Sequence, residues 1–128
     1  MVCKIQREIK SDINQVKYVV DDILLNIQED LNENAFFNTK LILSELIING
    51  VKHGNLCDIT KLLNIRIHIN NNSIIIEVSD EGLGIKYNHK SYGKYDFDDK
   101  GRGLMLVEGL SDEFAVYGNT VKCVQYLK

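Results

Sequence analysis

The chain has 128 residues, with 15 Lys and Arg against 18 Asp and Glu, for a formal net charge of -3. This near balance excludes a mainly electrostatic nucleic-acid binder, which needs a basic surface to neutralise phosphates. Hydrophobic residues make up 45% of the chain, enough for one core, so a wholly disordered protein is also excluded. The chain has no Pro and nine Gly, and six of these lie between Gly82 and Gly109, either as turn residues or as part of a binding surface.

The three cysteines, Cys3, Cys57 and Cys123, lie far apart and form no CxxC pair. We therefore expect reduced thiols rather than a disulfide framework or a zinc site. No apolar run approaches the roughly 18 residues of a membrane span, and the first residues lack the apolar stretch of a signal peptide. These features predict a cytoplasmic protein that does not contact a membrane. Because the sequence shows no internal repeat, low-complexity tract or linker, we expect residues 1–128 to form a single domain.

The first half of the chain predicts one strand and two helices. Residues 2–8 favour a short strand. Ser11 is expected to cap a first helix that extends to about residues 26–29, because apolar residues recur there at helical spacing. A second helix is predicted from about residue 33 to residue 51, followed by the stop signal Gly54-Asn55.

The second half predicts four strands and a short helix. Alternating residues favour a hairpin, with strands at 65–69 and 74–78. A polar loop is expected over 86–100, then a third helix at 103–110 and two further strands at 113–117 and 121–127. This order favours an α+β fold, a two-layer sandwich with a mixed, mostly antiparallel sheet and three helices on one face.

A narrow polar row runs along the second predicted helix. Glu45, Asn49 and His53 follow one another at intervals of four residues, while most of the neighbouring positions are apolar. One interpretation is a strip that faces solvent. The other is a functional row, because a carboxylate can act as a base and an amide oxygen can ligate a hard cation.

Asp80 follows the predicted strand 74–78 in phase with its buried face. A carboxylate there needs a partner, and it either caps the next turn or accepts hydrogen bonds from a ligand amine. Gly82 and Gly84 allow a sharp turn and a close approach to a flat ligand. The segment is not a dinucleotide-binding fingerprint, because Tyr87 holds the third glycine position and a polar loop follows.

A second glycine pair, Gly101-Arg102-Gly103-Leu104, precedes the third predicted helix. Free N–H groups at a helix start favour phosphate, and lysines of the preceding loop add positive charge. A P-loop is excluded, because the chain has no GxxxxGK[ST] motif.

Taken in order, these segments resemble the nucleotide-binding boxes of the GHKL (histidine kinase-like) ATPase superfamily, whose domains have the Bergerat fold. Residues 45–54 resemble the N box, residues 80–84 the first glycine box and residues 101–104 the second. Within the superfamily, the Asn-xxx-His-Gly ending of the N box and the closing hairpin at 118–121 are most similar to bacterial anti-sigma-factor serine/threonine kinases.

The resemblance implies a role for each matching residue. Glu45 is implied as the general base, Asn49 as the ligand of Mg²⁺, and Asp80 as the acceptor for the amino group of adenine, helped by Thr120. Residues 86–100 are implied as a lid over ATP. The residues implied to bind the nucleotide are Asn49, His53, Asp80, Gly82, Gly84, Ile85, Gly101, Arg102, Gly103, Leu104 and Thr120.

The resemblance also implies a reaction and partners. The reaction is ATP-dependent phosphorylation of a serine or threonine on an anti-anti-sigma antagonist protein. The partners are that antagonist, a sigma factor that the kinase sequesters, and a second copy in a homodimer, with no direct contact to nucleic acid. The alternative is a non-catalytic GHKL module that binds ATP and binds or activates a partner protein. Glu45 favours the enzyme, because a module that only binds needs no base beside the metal.

Overall fold

The structure, a computed structural model, describes residues 2–84 and 99–127, with the backbone alone at 99–101. The regular elements in these ranges are β1 (Cys3–Lys10), α1 (Val16–Ile27), α2 (Glu33–Asn49), β2 (Leu62–Ile69), β3 (Ser73–Ser79), α3 (Asp99–Leu110), β4 (Glu113–Tyr117) and β5 (Thr120–Tyr126). Short 3-10 turns precede and follow α1, and a π-helical turn, Gly50–Gly54, continues α2.

The strands form one sheet in the order β1-β2-β3-β5-β4, in which every described pairing is antiparallel. Burial alternates along β2 and β3, so Ile65 and Ile76 lie on a face that packs into the core while Arg66 and Glu77 lie on the other. The core cluster joins the buried face to α1, α2 and α3. The predicted two-layer α+β fold is confirmed, with an antiparallel sheet in the described residues where a mixed one was expected.

The predicted cap of the first helix is wrong. Ser11 is fully buried, and its hydroxyl donates to the carbonyl of Lys61 at 2.9 Å. Asp12 instead accepts from the N–H of Asn14 at 2.9 Å and starts the 3-10 turn that leads into α1. A buried hydroxyl that satisfies a loop carbonyl is no longer free to cap a helix.

Several predicted boundaries shift in the structure. β2 begins at Leu62, three residues before the expected start, and α3 begins at Asp99, four residues before the expected start. Residues 99 and 100 are therefore helical and not part of a loop, whereas the expected loop at 86–98 lies outside the described residues. Within the described ranges, no helix is long and apolar enough to cross a membrane.

Candidate functional site

The polar row of α2 lines a cavity of about 350 Å³. The cavity lies beside the end of α2, the π-helical turn and α3, and its volume is at the lower end of the ~300–1,000 Å³ typical of small-molecule sites. π-helical turns of this kind occur frequently at functional sites. The lining residues are Glu45, Ile48, Asn49, Lys52, His53, Arg102, Gly103 and Leu106. Five predicted site residues thus meet around one cavity.

Asn49 has the buried acceptor that a cation ligand requires. Its side chain is only 6% exposed, and Oδ1 has no hydrogen-bond partner in the part of the chain that the structure describes. A buried carbonyl oxygen without a partner costs about 1–3 kcal/mol. Amide oxygens suit hard cations, so Asn49 fits the Mg²⁺ that the sequence resemblance implies.

Glu45 and Gly103 come into direct contact across the cavity. A Cβ built on Gly103 would lie 2.6 Å from Oε2 of Glu45, so a larger residue at 103 would push the end of the Glu45 side chain out of this position. Glu45 precedes Asn49 by one helical turn, which places the candidate base and the candidate metal ligand on the same face of α2.

Positive side chains complete this end of the cavity. Lys52 from the π-helical turn and Arg102 from the first turn of α3 both line it. A guanidinium and an ammonium beside a helix N-terminus favour phosphate groups. Sequence reasoning missed Lys52, although its spacing of three residues from Asn49 was a usable signal.

Asp80 lies at a second point, where the turn after β3 meets the π-helical turn. Its side chain is 6% exposed and continues the buried alternation of β3. Oδ1 accepts from the N–H of Gly82 at 2.7 Å, so Asp80 does cap the following turn. A Cβ on Gly54 would overlap Oδ2 and Cγ of Asp80, and a Cβ on Gly82 would overlap the carbonyl oxygen of Gly54. These two glycines let the carboxylate and two backbone segments pack together.

Gly54 was predicted from the sequence only as part of a helix stop signal, without a role in the site. The α-helix α2 does not simply stop before Gly54, because Gly50–Gly54 continues it as a π-helical turn that brings Gly54 to Asp80. Gly84 has a φ of +110°, a conformation that favours glycine, and lies near the carbonyl of Gly118 in the last hairpin.

The structure does not bring the Thr120 side chain to Asp80. Thr120 pairs with Ser79 across the sheet, and their hydroxyls lie 2.7 Å apart. Because successive residues of a strand point to opposite faces, Thr120 shares the face of Ser79, opposite the one that carries Asp80. The neighbour of Asp80 is Asn119, whose carbonyl accepts from the Asp80 N–H at 3.0 Å and whose side chain donates to the Asp80 carbonyl.

The second glycine box, residues 101–104, was expected to precede the third helix, but it lies within α3. Gly103 is the fifth residue of α3, so the box lies inside the first turns of the helix and not before it. Leu104 is fully buried and packs in the core. Ile85 lies outside the described residues.

Comparison with known proteins identifies the family of the chain. The family model of the histidine kinase-like ATPase domain matches residues 9–128. The chain is 33% identical over 104 residues to proteins named serine-protein kinase RsbW from Staphylococcus aureus strains JH9, Newman and USA300, a match that covers 71% of this chain. The chain spans 65% of the length of those relatives. The chain belongs to the family of histidine kinase-like ATPase domains.

Proposed function

We propose that this chain binds ATP with Mg²⁺ between α2 and α3 and transfers the terminal phosphoryl group to a serine or threonine hydroxyl of an anti-anti-sigma antagonist protein. The observation that carries the proposal is that Glu45 and Asn49 line the same cavity and that the buried Oδ1 of Asn49 has no hydrogen-bond partner among the described residues. The relatives named serine-protein kinases support the choice of a protein hydroxyl as acceptor.

In the proposed reaction, Glu45 takes the proton of the attacking hydroxyl. The hydroxyl oxygen forms a bond to the terminal phosphorus as the bond to the bridging oxygen breaks, and ADP leaves. Asn49 would hold Mg²⁺, which neutralises charge on the phosphates when bound. Lys52 and Arg102 add positive charge from the protein side, and Gly103 lets the base stand close to the start of α3.

Asp80 is proposed to select adenine. An ionised carboxylate only accepts hydrogen bonds, so it favours the amino group of adenine over the oxo group at the same position of guanine. Because Asp80 is almost fully buried, an oxo group placed against its carboxylate would bring two acceptors together away from water, which strengthens the discrimination.

The proposed partners are the antagonist protein, a sigma factor that the kinase sequesters, and a second copy of the chain, with no direct contact to nucleic acid. These proposals, and a location in the cytoplasm, rest on the resemblance of the three boxes to anti-sigma-factor kinases. The match to proteins named serine-protein kinase supports the catalytic part of the assignment.

The test is incubation of the purified chain with Mg²⁺, ATP labelled on its terminal phosphate, and candidate antagonist proteins. We expect label on a serine or threonine, and a loss of about 100-fold or more in Glu45→Gln. Glu33→Gln, a change in the first turn of the same helix, is the matched control and should transfer normally. Tight ATP binding without transfer to any candidate would instead favour the non-catalytic module.

A further inference from the structure

Asn55 is a fully buried polar residue for which the proposed chemistry gives no role. Its Nδ2 donates to Oγ of Ser11 at 2.7 Å and to the carbonyl of Leu62 at 3.0 Å. Its Oδ1 accepts from the N–H of Glu81 at 2.7 Å. Both ends of the amide are therefore used, which fixes its orientation.

These bonds join four separate segments of the chain. Ser11 follows β1, Leu62 begins β2, and Glu81 follows Asp80. The N–H of Asn55 itself donates to the carbonyl of Gly50 at 2.8 Å, which ties it to the π-helical turn. A second tether runs in parallel, because the carboxylate of Glu81 accepts from the N–H of Leu62.

The network holds the Asp80 carboxylate from two sides. Gly54, which directly precedes Asn55, packs against Oδ2 of Asp80 so closely that a Cβ would not fit. On the other side, the N–H of Glu81 donates to Oδ1 of Asn55. Glu81 lies between Asp80 and Gly82, whose N–H donates to Oδ1 of Asp80. A shift of Asn55 would move both neighbours of the carboxylate at once.

We propose that Asn55 is a positioning residue that sets the Asp80 carboxylate for recognition of adenine, without contacting the nucleotide. The inference rests on the proposed function, because it requires Asp80 to bind the base. A change at Asn55 should therefore affect binding of the base and leave binding of the phosphates nearly unchanged. Asn55 does not line the cavity around Glu45 and Asn49.

The experiment measures equilibrium binding of ATP, GTP and inorganic triphosphate, each with Mg²⁺, to the full chain. In Asn55→Ala we expect ATP affinity to fall about tenfold or more, since the bonds that fix the Asp80 turn are lost. Triphosphate affinity should change by less than about twofold, and the preference for ATP over GTP should shrink. Ser11→Ala, which removes one acceptor of the Asn55 amide, is the milder variant and should shift ATP affinity in the same direction.

The outcomes separate the two proposals. Two outcomes would overturn the role of Asn55 and leave the proposed function standing. One is an equal loss of ATP and triphosphate affinity in the folded variants, and the other is an unchanged ATP affinity with an unchanged preference for ATP over GTP. Failure of the unmodified chain to bind ATP overturns the proposed function and the role of Asn55 with it. If Asn55→Ala does not fold, the same measurement on Ser11→Ala tests the role of Asn55, because ATP affinity should again fall more than triphosphate affinity.

Discussion

The carboxylate of Glu45 lies directly against the backbone of Gly103, so that a Cβ on Gly103 would stand 2.6 Å from Oε2. This contact joins the N box on α2 to the second glycine box on α3. Glycine at this position leaves space for the candidate base.

Gly103→Ala is expected to displace the Glu45 carboxylate from its position. We expect phosphoryl transfer to fall by about 100-fold, because a displacement of about 1 Å of a catalytic group has effects of that size. ATP affinity should fall much less, since the carboxylate does not hold the nucleotide. Steady-state transfer rates and ATP affinity measure the two effects separately.

Gly109→Ala is the matched control for that change. Gly109 is an exposed residue near the end of the same helix, and a Cβ there meets nothing within 4 Å. We expect normal transfer and a gain of up to about 1 kcal/mol in the free energy of unfolding, from the better helix propensity of alanine. Equal transfer by Gly103→Ala and Gly109→Ala would contradict the role of the Glu45 contact.

Asn49→Ala is expected to remove the Mg²⁺ dependence of nucleotide binding. In the unmodified chain, ATP with Mg²⁺ should raise the Tm more than ATP with a chelator, because a ligand that binds only the folded state stabilises it. In Asn49→Ala this difference should shrink towards zero. Thermal unfolding with and without Mg²⁺ measures it.

Asn64→Ala tests whether that effect is specific to the cavity. Asn64 also has a buried Oδ1 without a described partner, but it lies on β2, in register with Ser79 on the sheet face opposite Ile65. We expect Asn64→Ala to keep the full difference in Tm between Mg²⁺ and chelator. Loss of the difference in both variants would show that it reports general stability and not metal binding.

Gly54→Ala is expected to impair both stability and base recognition. The added methyl group would overlap the Asp80 carboxylate and lie 2.9 Å from Asp80 Cβ. Overpacking of this kind costs about 1–3 kcal/mol in the free energy of unfolding. We also expect the preference for ATP over GTP to fall, measured by competition binding. Normal stability together with unchanged preference would contradict the packing of Gly54 against Asp80.

The thiols are expected to differ strongly in reactivity. Cys57 is exposed, whereas Cys123 is fully buried and burial raises its pKa to about 12. At pH 8, a thiol reagent should label Cys57 readily and Cys123 only after unfolding, as mass spectrometry of the labelled peptides would show. An unfolded thiol ionises near pH 8.5, so the stability from the neutral Cys123 thiol should be lost as the pH rises from about 9 towards 12. Labelling of Cys123 at the rate of Cys57 would contradict its burial.

The sequence predicted those features that depend on local periodicity. The alternation through 74–78 correctly placed Asp80 on the buried face, and the interval of four residues correctly placed Glu45, Asn49 and His53 together. Each of these depends only on the repeat of one element, which a single chain shows directly.

Features that depend on contacts between distant segments were not predictable in this way. Ser11 has the residue type of a helix cap, but its hydroxyl is used by Lys61, fifty residues later in the chain. Thr120 was expected to help Asp80 hold adenine, directly or through water, and only the β3–β5 register shows that its hydroxyl lies beside that of Ser79. The π-helical turn that carries Gly54 to Asp80 has no simple periodic signal.

The most direct test of the proposed nucleotide site is calorimetric titration of the unmodified chain and of Asp80→Asn with ATP and Mg²⁺. We expect saturable binding at one site per chain, weakened by about tenfold or more in Asp80→Asn, because the amide presents a donor where the adenine amine needs an acceptor. Equal ATP affinity of the two proteins, or no binding of ATP by the unmodified chain, would contradict the assignment of the nucleotide site.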